Sequence, residues 1–136
     1  MNIIICGAGR VGFTIAKQLS EQGHSITVID TSSEDIQKID DALDVKAIVG
    51  KATYPTILEK ANAAETDMII AVTRNDEINM VICQIAFSIF NIPKKIARIR
   101  SQDYLNPKFT TVYNKENLPI DVIISPEIEI AKSIQR

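Results

Sequence analysis

The chain has 136 residues, 46% hydrophobic and 24% charged, with a formal net charge of −2. That is the length of one domain with a sizeable core, and the charge excludes the strongly basic face that nucleic-acid binding requires. No apolar run reaches the roughly eighteen residues of a membrane span, and no signal peptide precedes the first strand, so a cytoplasmic domain is expected.

The first apolar run, Asn2-Ile3-Ile4-Ile5-Cys6, predicts a strand over 2–6, and Gly7-Ala8-Gly9-Arg10-Val11-Gly12 follows it directly. Periodic apolar residues from about Val11 to Gln22 predict a helix that stops at Gly23, a good C-terminal residue. A second strand over 25–30 ends on Asp30. Strand, GxGxxG, amphipathic helix, strand and terminal acid together form one nucleotide-binding unit, a far more specific signal than the glycines alone. Ser32 or Ser33 caps a second helix running to about Leu43. Residues 46–49 predict the third strand, and Tyr54-Pro55 opens a third helix ending near Ala63.

Strands over 67–72, 95–100 and 121–124 follow, with a fourth helix between the first two of them, from about Asp76 to Phe90. On that helix Ile78, Val81, Ile82, Ile85, Ala86, Ile89 and Phe90 follow helical spacing and are expected to face the sheet. Met80, Cys83 and Phe87 form a second stripe, which fits either a deeply covered helix or a subunit interface. Residues 103–118, punctuated by Asn106-Pro107 and Leu118-Pro119, predict a helix or a structured loop. Ser125-Pro126-Glu127 starts a last helix carrying Ile128, Ile130, Ala131 and Ile134, with little left in this chain to pack against.

Short Ile- and Val-rich strands without clean alternation suit a parallel sheet covered on both faces. The expected fold is therefore α/β: a doubly wound, Rossmann-like parallel sheet in the order 3-2-1-4-5-6, with helices on both faces. Residues 1–136 are expected to be one domain, complete or the N-terminal part of a longer chain. Cys6 and Cys83 lie far apart in apolar settings and are expected to be buried, reduced thiols rather than metal ligands or a disulfide.

Each position of the glycine motif has a physical task. Gly7 lets the chain turn out of the strand, Gly9 removes the side chain that would hold a pyrophosphate off the backbone, and Gly12 lets the helix press on the strand. The free N–H groups of that helix then face the phosphates. Asp30, eighteen residues after Gly12, can accept from a ribose 2′-OH and repels a 2′-phosphate, and Thr31-Ser32-Ser33 supplies no Arg to rescue one. NAD or an adenosine di- or triphosphate is favoured over NADP.

Further groups arrive at the carboxyl ends of the strands. Arg10 in the first helical turn is disfavoured by the dipole unless an anion is near, which makes it a candidate phosphate ligand. Gly50-Lys51-Ala52 leaves room for an adenine, and Thr73-Arg74 ends the fourth strand close to the ribose or pyrophosphate. Arg98 and Arg100 fall on one face near the end of the fifth strand and need partners there, either an anion or Asp76 or Glu77. His24, the single histidine, lies in the turn before the second strand at the far end of the sheet, so no Ser-His-Asp or Cys-His arrangement exists. No catalytic residue is expected.

The pieces Gly7-Ala8-Gly9-Arg10-Val11-Gly12 with Asp30, Gly50-Lys51-Ala52-Thr53, Ile69 through Met80, and Lys95-Ile96-Ala97-Arg98-Ile99-Arg100 resemble the RCK, KTN or TrkA-N family over essentially the whole chain. These are nucleotide-binding domains that regulate potassium channels and transporters. The resemblance implies a non-enzymatic cytosolic gating subunit that binds NAD, NADH, ATP or ADP, forms dimers or rings and docks on a membrane pore-forming subunit. It implies nucleotide contacts at Gly7 to Val11, Asp30, Lys51, Ala52, Thr73, Arg74 and Arg98, and assembly contacts on the fourth helix and beyond. Lys51 departs from the family, which usually carries Asp or Asn there; a lysine is donor-only, and its amino group can instead reach a phosphate. From another class, a small NAD-dependent oxidoreductase or the cofactor half of one is the alternative.

Overall fold

In the computed structural model, which describes residues 1–124, the strands are β1 (Asn2–Cys6), β2 (Ser25–Asp30), β3 (Lys46–Val49), β4 (Met68–Ala71), β5 (Lys94–Arg98) and β6 (Val122–Ile124). The helices are α1 (Arg10–Glu21), α2 (Ser33–Ala42), α3 (Pro55–Lys60), α4 (Asp76–Ser88) and α5 (Gln102–Leu105). All strand pairs are parallel, in the order β3-β2-β1-β4-β5-β6. The expected doubly wound topology is the observed one. The helix expected after Ser125 lies outside the described residues.

Alternate residues of the central strands feed two cores. Ile3 and Ile5 join Val28 and Ile70 with Val11, Ile15 and Leu19 of α1 and Ile36 and Ile39 of α2. Ile4 and Cys6 join Ile29, Ile69 and Ala71 on the opposite face, with Leu58 of α3 and Ile82, Cys83 and Ala86 of α4. Burial on both faces is why these strands carry unbroken apolar runs instead of alternating. No helix among the described residues is long and apolar enough to cross a membrane.

Several boundaries are set by local chemistry. Ser32 is the N-cap of α2, its hydroxyl accepting from Asp35 N–H at 3.1 Å. The third helix stops at Lys60, before Ala63, because Asn62 takes a left-handed φ of 61° and a 3-10 turn follows. Asn91, at φ 53°, turns the chain from α4 toward β5. Residues 103–118 contain the end of α5 and a 3-10 turn over Thr110–Val112, tied together by Tyr113 Oη donating to the Tyr104 carbonyl at 3.0 Å. Lys95 is buried at the start of β5, where it meets the Asp121 carboxylate at 3.1 Å and lies over the Phe87 ring, joining edge strand β6 to α4.

The face of α4 differs from expectation. The sheet side is Asn79, Ile82, Cys83 and Ala86, whereas Ile78, Val81 and Ile89 are 42%, 45% and 54% exposed. Cys83 therefore belongs to the core and not to an outer stripe. The helix is apolar nearly all round, so spacing could not choose its face. The choice falls to Asn79, whose buried carboxamide finds four hydrogen bonds only when this side faces the sheet.

Candidate functional site

A crevice of about 690 Å³ opens at the carboxyl ends of the strands, over the switch point where β1 is flanked by β2 and β4. That volume lies within the range of small-molecule and cofactor sites. Its walls bring together Gly7, Gly9, Arg10, Val11, Asp30, Lys51, Ala52, Thr73, Arg74 and Arg98, residues that are scattered along the sequence. Two further residues of the expected set, Ala8 and Gly12, do not line it.

Ala8 is buried, and its N–H donates to Asp30 Oδ2 at 2.6 Å. The other oxygen, Oδ1, accepts from Ser32 N–H at 2.9 Å. Asp30 thus clamps the glycine loop to the end of β2, and its two oxygens retain lone pairs for a further donor. Gly12 is wholly a packing position, since a Cβ there would lie 1.7 Å from the Gly7 carbonyl oxygen. Gly7 has φ +119°, and a Cβ on it would meet the Val72 carbonyl oxygen at 2.8 Å. Around a Cβ built on Gly9 there is nothing within 4 Å. Gly9 is also the N-cap of α1 and has no side-chain cap, and no acidic residue stands in the first turn, so the leading N–H groups of α1 face the crevice without an intrahelical acceptor. An open cradle over unpaired donors is what a phosphate needs.

The cations are distributed around this loop. Arg10 is exposed at the head of α1. The Lys51 ammonium sits 5.3 Å over the Tyr54 ring. β5 ends at Arg98, so Arg100 stands beyond the strand, and its Nη2 donates to the Arg74 carbonyl at 3.0 Å. For Arg100 the expected pairing with Asp76 runs through the backbone: the Asp76 carboxylate accepts the N–H groups of Arg100 at 3.1 Å and Ser101 at 2.8 Å. His24 lies at the opposite end of the sheet, its Nδ1 3.1 Å from the terminal amine of Met1.

Two site features escaped the sequence. Asp35, in the first turn of α2, adds a second carboxylate to the wall near Asp30. Asn79 ties the ends of β4 and β5 together through Thr73 and Arg98. Its signal was available: a lone amide at i−3 and i−4 from Ile82 and Cys83 on an apolar helix must be satisfied if buried.

The parallel sheet, glycine loop and acid-ended second strand define a domain of the Rossmann-like nucleotide-binding class. The chain belongs to the TrkA-N domain family, whose model matches residues 3–126. It is 46% identical over its whole length to the Trk system potassium uptake protein TrkA of Azorhizobium caulinodans, and 43% identical to that of Haemophilus influenzae. The chain spans 30% of the length of each. Among solved structures it is similar to the TrkA-N domain of inner membrane protein ybaL from Escherichia coli, with a TM-score of 0.78 at 22% identity over 98% of this chain and 93% of that one. It is also similar to the GsuK channel bound to NAD (TM-score 0.74, 17% identity, 91% of this chain and 21% of that one). For the AMP-bound Kef CTD of Shewanella denitrificans the TM-score is 0.70, at 21% identity over 98% of this chain and 77% of that one. At these identities the structural likeness is one of fold.

Proposed function

We propose that the chain is the nucleotide-sensing domain of a potassium-uptake regulator, binding NAD, NADH or an adenosine di- or triphosphate in the crevice. The observation that carries this reading is the open cradle at Gly9, where unpaired helix N–H groups face the crevice beside Asp30 and Arg10. The ribose end meets two carboxylates, Asp30 and Asp35, which favours a free 2′-OH over a 2′-phosphate. The names of the relatives and of the NAD-bound and AMP-bound structures support the same ligand class and a potassium-transport setting.

The role is regulatory rather than catalytic. A nucleotide can bias a partner only through different affinities for two conformations of the assembly, and so shift the population of a pore-forming membrane subunit. The domain works from the cytoplasmic side, peripheral to the membrane through that partner, as a dimer or a ring.

Thermal unfolding with NAD, NADH, NADP, ATP and ADP tests this, repeated on Asp30→Ala. A ligand at about a hundred times its Kd adds about 2.7 kcal/mol, a rise in Tm on the order of 5–10 °C for a domain of this size. The expected result is a rise with NAD, NADH or ATP, little with NADP, and a smaller rise in Asp30→Ala. No shift with any nucleotide, or sustained nicotinamide-linked turnover of alcohols or 2-hydroxy acids, would overturn the reading.

A further inference from the structure

We propose that Asn79, which does not itself line the crevice, is the positioning residue of the crevice's second half: it turns the Thr73 hydroxyl into a pure hydrogen-bond acceptor and holds the ends of β4 and β5 at one spacing. The inference rests on the nucleotide reading above.

Asn79 is completely buried on the sheet side of α4. Its Oδ1 accepts from the Thr73 N–H at 2.9 Å and from the Thr73 hydroxyl at 2.6 Å. Its Nδ2 donates to the Thr73 carbonyl at 3.2 Å and to the Arg98 carbonyl at 2.8 Å. A carboxamide has two acceptor sites on oxygen and two N–H donors, so its whole capacity is used on Thr73, two residues past the end of β4, and on Arg98, the last residue of β5. No other side chain of this size does the same. Aspartate would set a carboxylate against two carbonyl oxygens, and leucine would leave one N–H and two carbonyls without partners.

The consequence for recognition lies at Thr73, which lines the crevice. Its single hydroxyl hydrogen has two acceptors in reach, Asn79 Oδ1 at 2.6 Å and the Asn75 carbonyl at 3.2 Å, of which the much shorter Asn79 contact holds it, and its oxygen accepts weakly from Asn75 N–H at 3.3 Å. What it presents to the crevice is a lone pair. A lone pair recognises a donor such as a ribose hydroxyl and repels a phosphate oxygen. The second half of the crevice is therefore built for a ribose carried beyond the phosphates, with Arg98 held beside it through its own carbonyl.

The sheet order separates the two halves. Asp30 and the glycine loop lie on the β1–β2–β3 side of the switch point, and Thr73 and Arg98 lie on the β4–β5 side. A dinucleotide crosses this point, whereas a mononucleotide fills the first half alone. AMP and NAD are thus the discriminating probes.

Calorimetric titration of AMP and NAD into the parent chain, Asn79→Ala, Thr73→Val and Thr73→Ser tests the proposal. The parent is expected to bind both, and Asn79→Ala to weaken NAD by about tenfold or more while AMP stays within about twofold. Thr73→Val should show the same split and Thr73→Ser should bind like the parent, a pair that also carries the test if Asn79→Ala fails to fold. A general folding defect would lower both ligands together. Parallel loss of AMP and NAD, no loss of either, or a parent that binds AMP but not NAD would overturn the positioning role while leaving the nucleotide site standing. A parent that binds neither would reject the nucleotide reading itself, and this inference with it.

Discussion

Gly9 and Gly12 stand three residues apart in one motif and do opposite work. An alanine methyl at Gly12 would overlap the Gly7 carbonyl at 1.7 Å, backbone against backbone, with nothing flexible to give way. One at Gly9 would enter open space, and the Gly9 φ of −73° suits any residue. Gly12→Ala is expected to lose on the order of 3 kcal/mol or more of stability, or to fail to fold. Gly9→Ala should keep its Tm, or gain slightly from a stiffer unfolded chain, and yet bind NAD poorly because the methyl occupies the phosphate cradle. Melting curves paired with NAD titration separate the two; equal loss of stability in both variants would contradict this division. The motif announces three glycines, but which serve packing and which is left open to the crevice depends on what each Cβ would meet. Asp30 is similar. The sequence predicts a ribose role for it and leaves the Ser32 N–H within its local reach, but its grip on the Ala8 N–H appears only once β2 lies beside β1.

Strands β1 to β4 were largely legible because apolar runs bounded by Gly and Asp allow few other assignments, whereas their register came only with the structure. Helix α4 was legible in extent but not in orientation. Its near-uniform apolar surface leaves the face undetermined until one buried amide needs partners. The same packing puts Cys83 of α4 in one core with Cys6 of β1. Burial pushes both thiols up, Cys83 to about 12, the nearby Lys95 ammonium pulling the other way and losing. The sign follows directly. The folded state holds the neutral thiol, so its contribution is complete below the ordinary thiol value of 9.0 and is lost as pH rises through the folded value. Between the parent and Cys83→Ala, the loss of unfolding free energy on going to about pH 10 should differ by roughly 1.4 kcal/mol, measured by urea titration. Identical pH profiles would mean that Cys83 ionises as freely folded as unfolded.

Over the whole molecule, one helix faces both ways. The first turns of α4 hold the ends of β4 and β5 at the crevice, while Val81 and Ile89 leave an apolar strip on the outside. For the assembly proposed above, that strip is the place to interrupt. Val81→Asp with Ile89→Asp is expected to lower the mass seen by light scattering without changing Tm beyond about 2 °C, because both side chains are already half in water. Phe87 is a poorer probe, since its ring covers the buried Lys95 and its loss would disturb the core. An unchanged mass in the double variant would remove α4 from the assembly face. Strand order, the glycine loop with Asp30 and the place of His24 away from the crevice were all open to inspection in the chain, since each rests on local pattern: hydrophobic period, turn chemistry, spacing. Which side of α4 is buried, which glycine is left open to the crevice and how Asn79 holds Thr73 were decided by tertiary structure. Those are questions of which buried polar group finds a partner, and the partners come from distant parts of the chain.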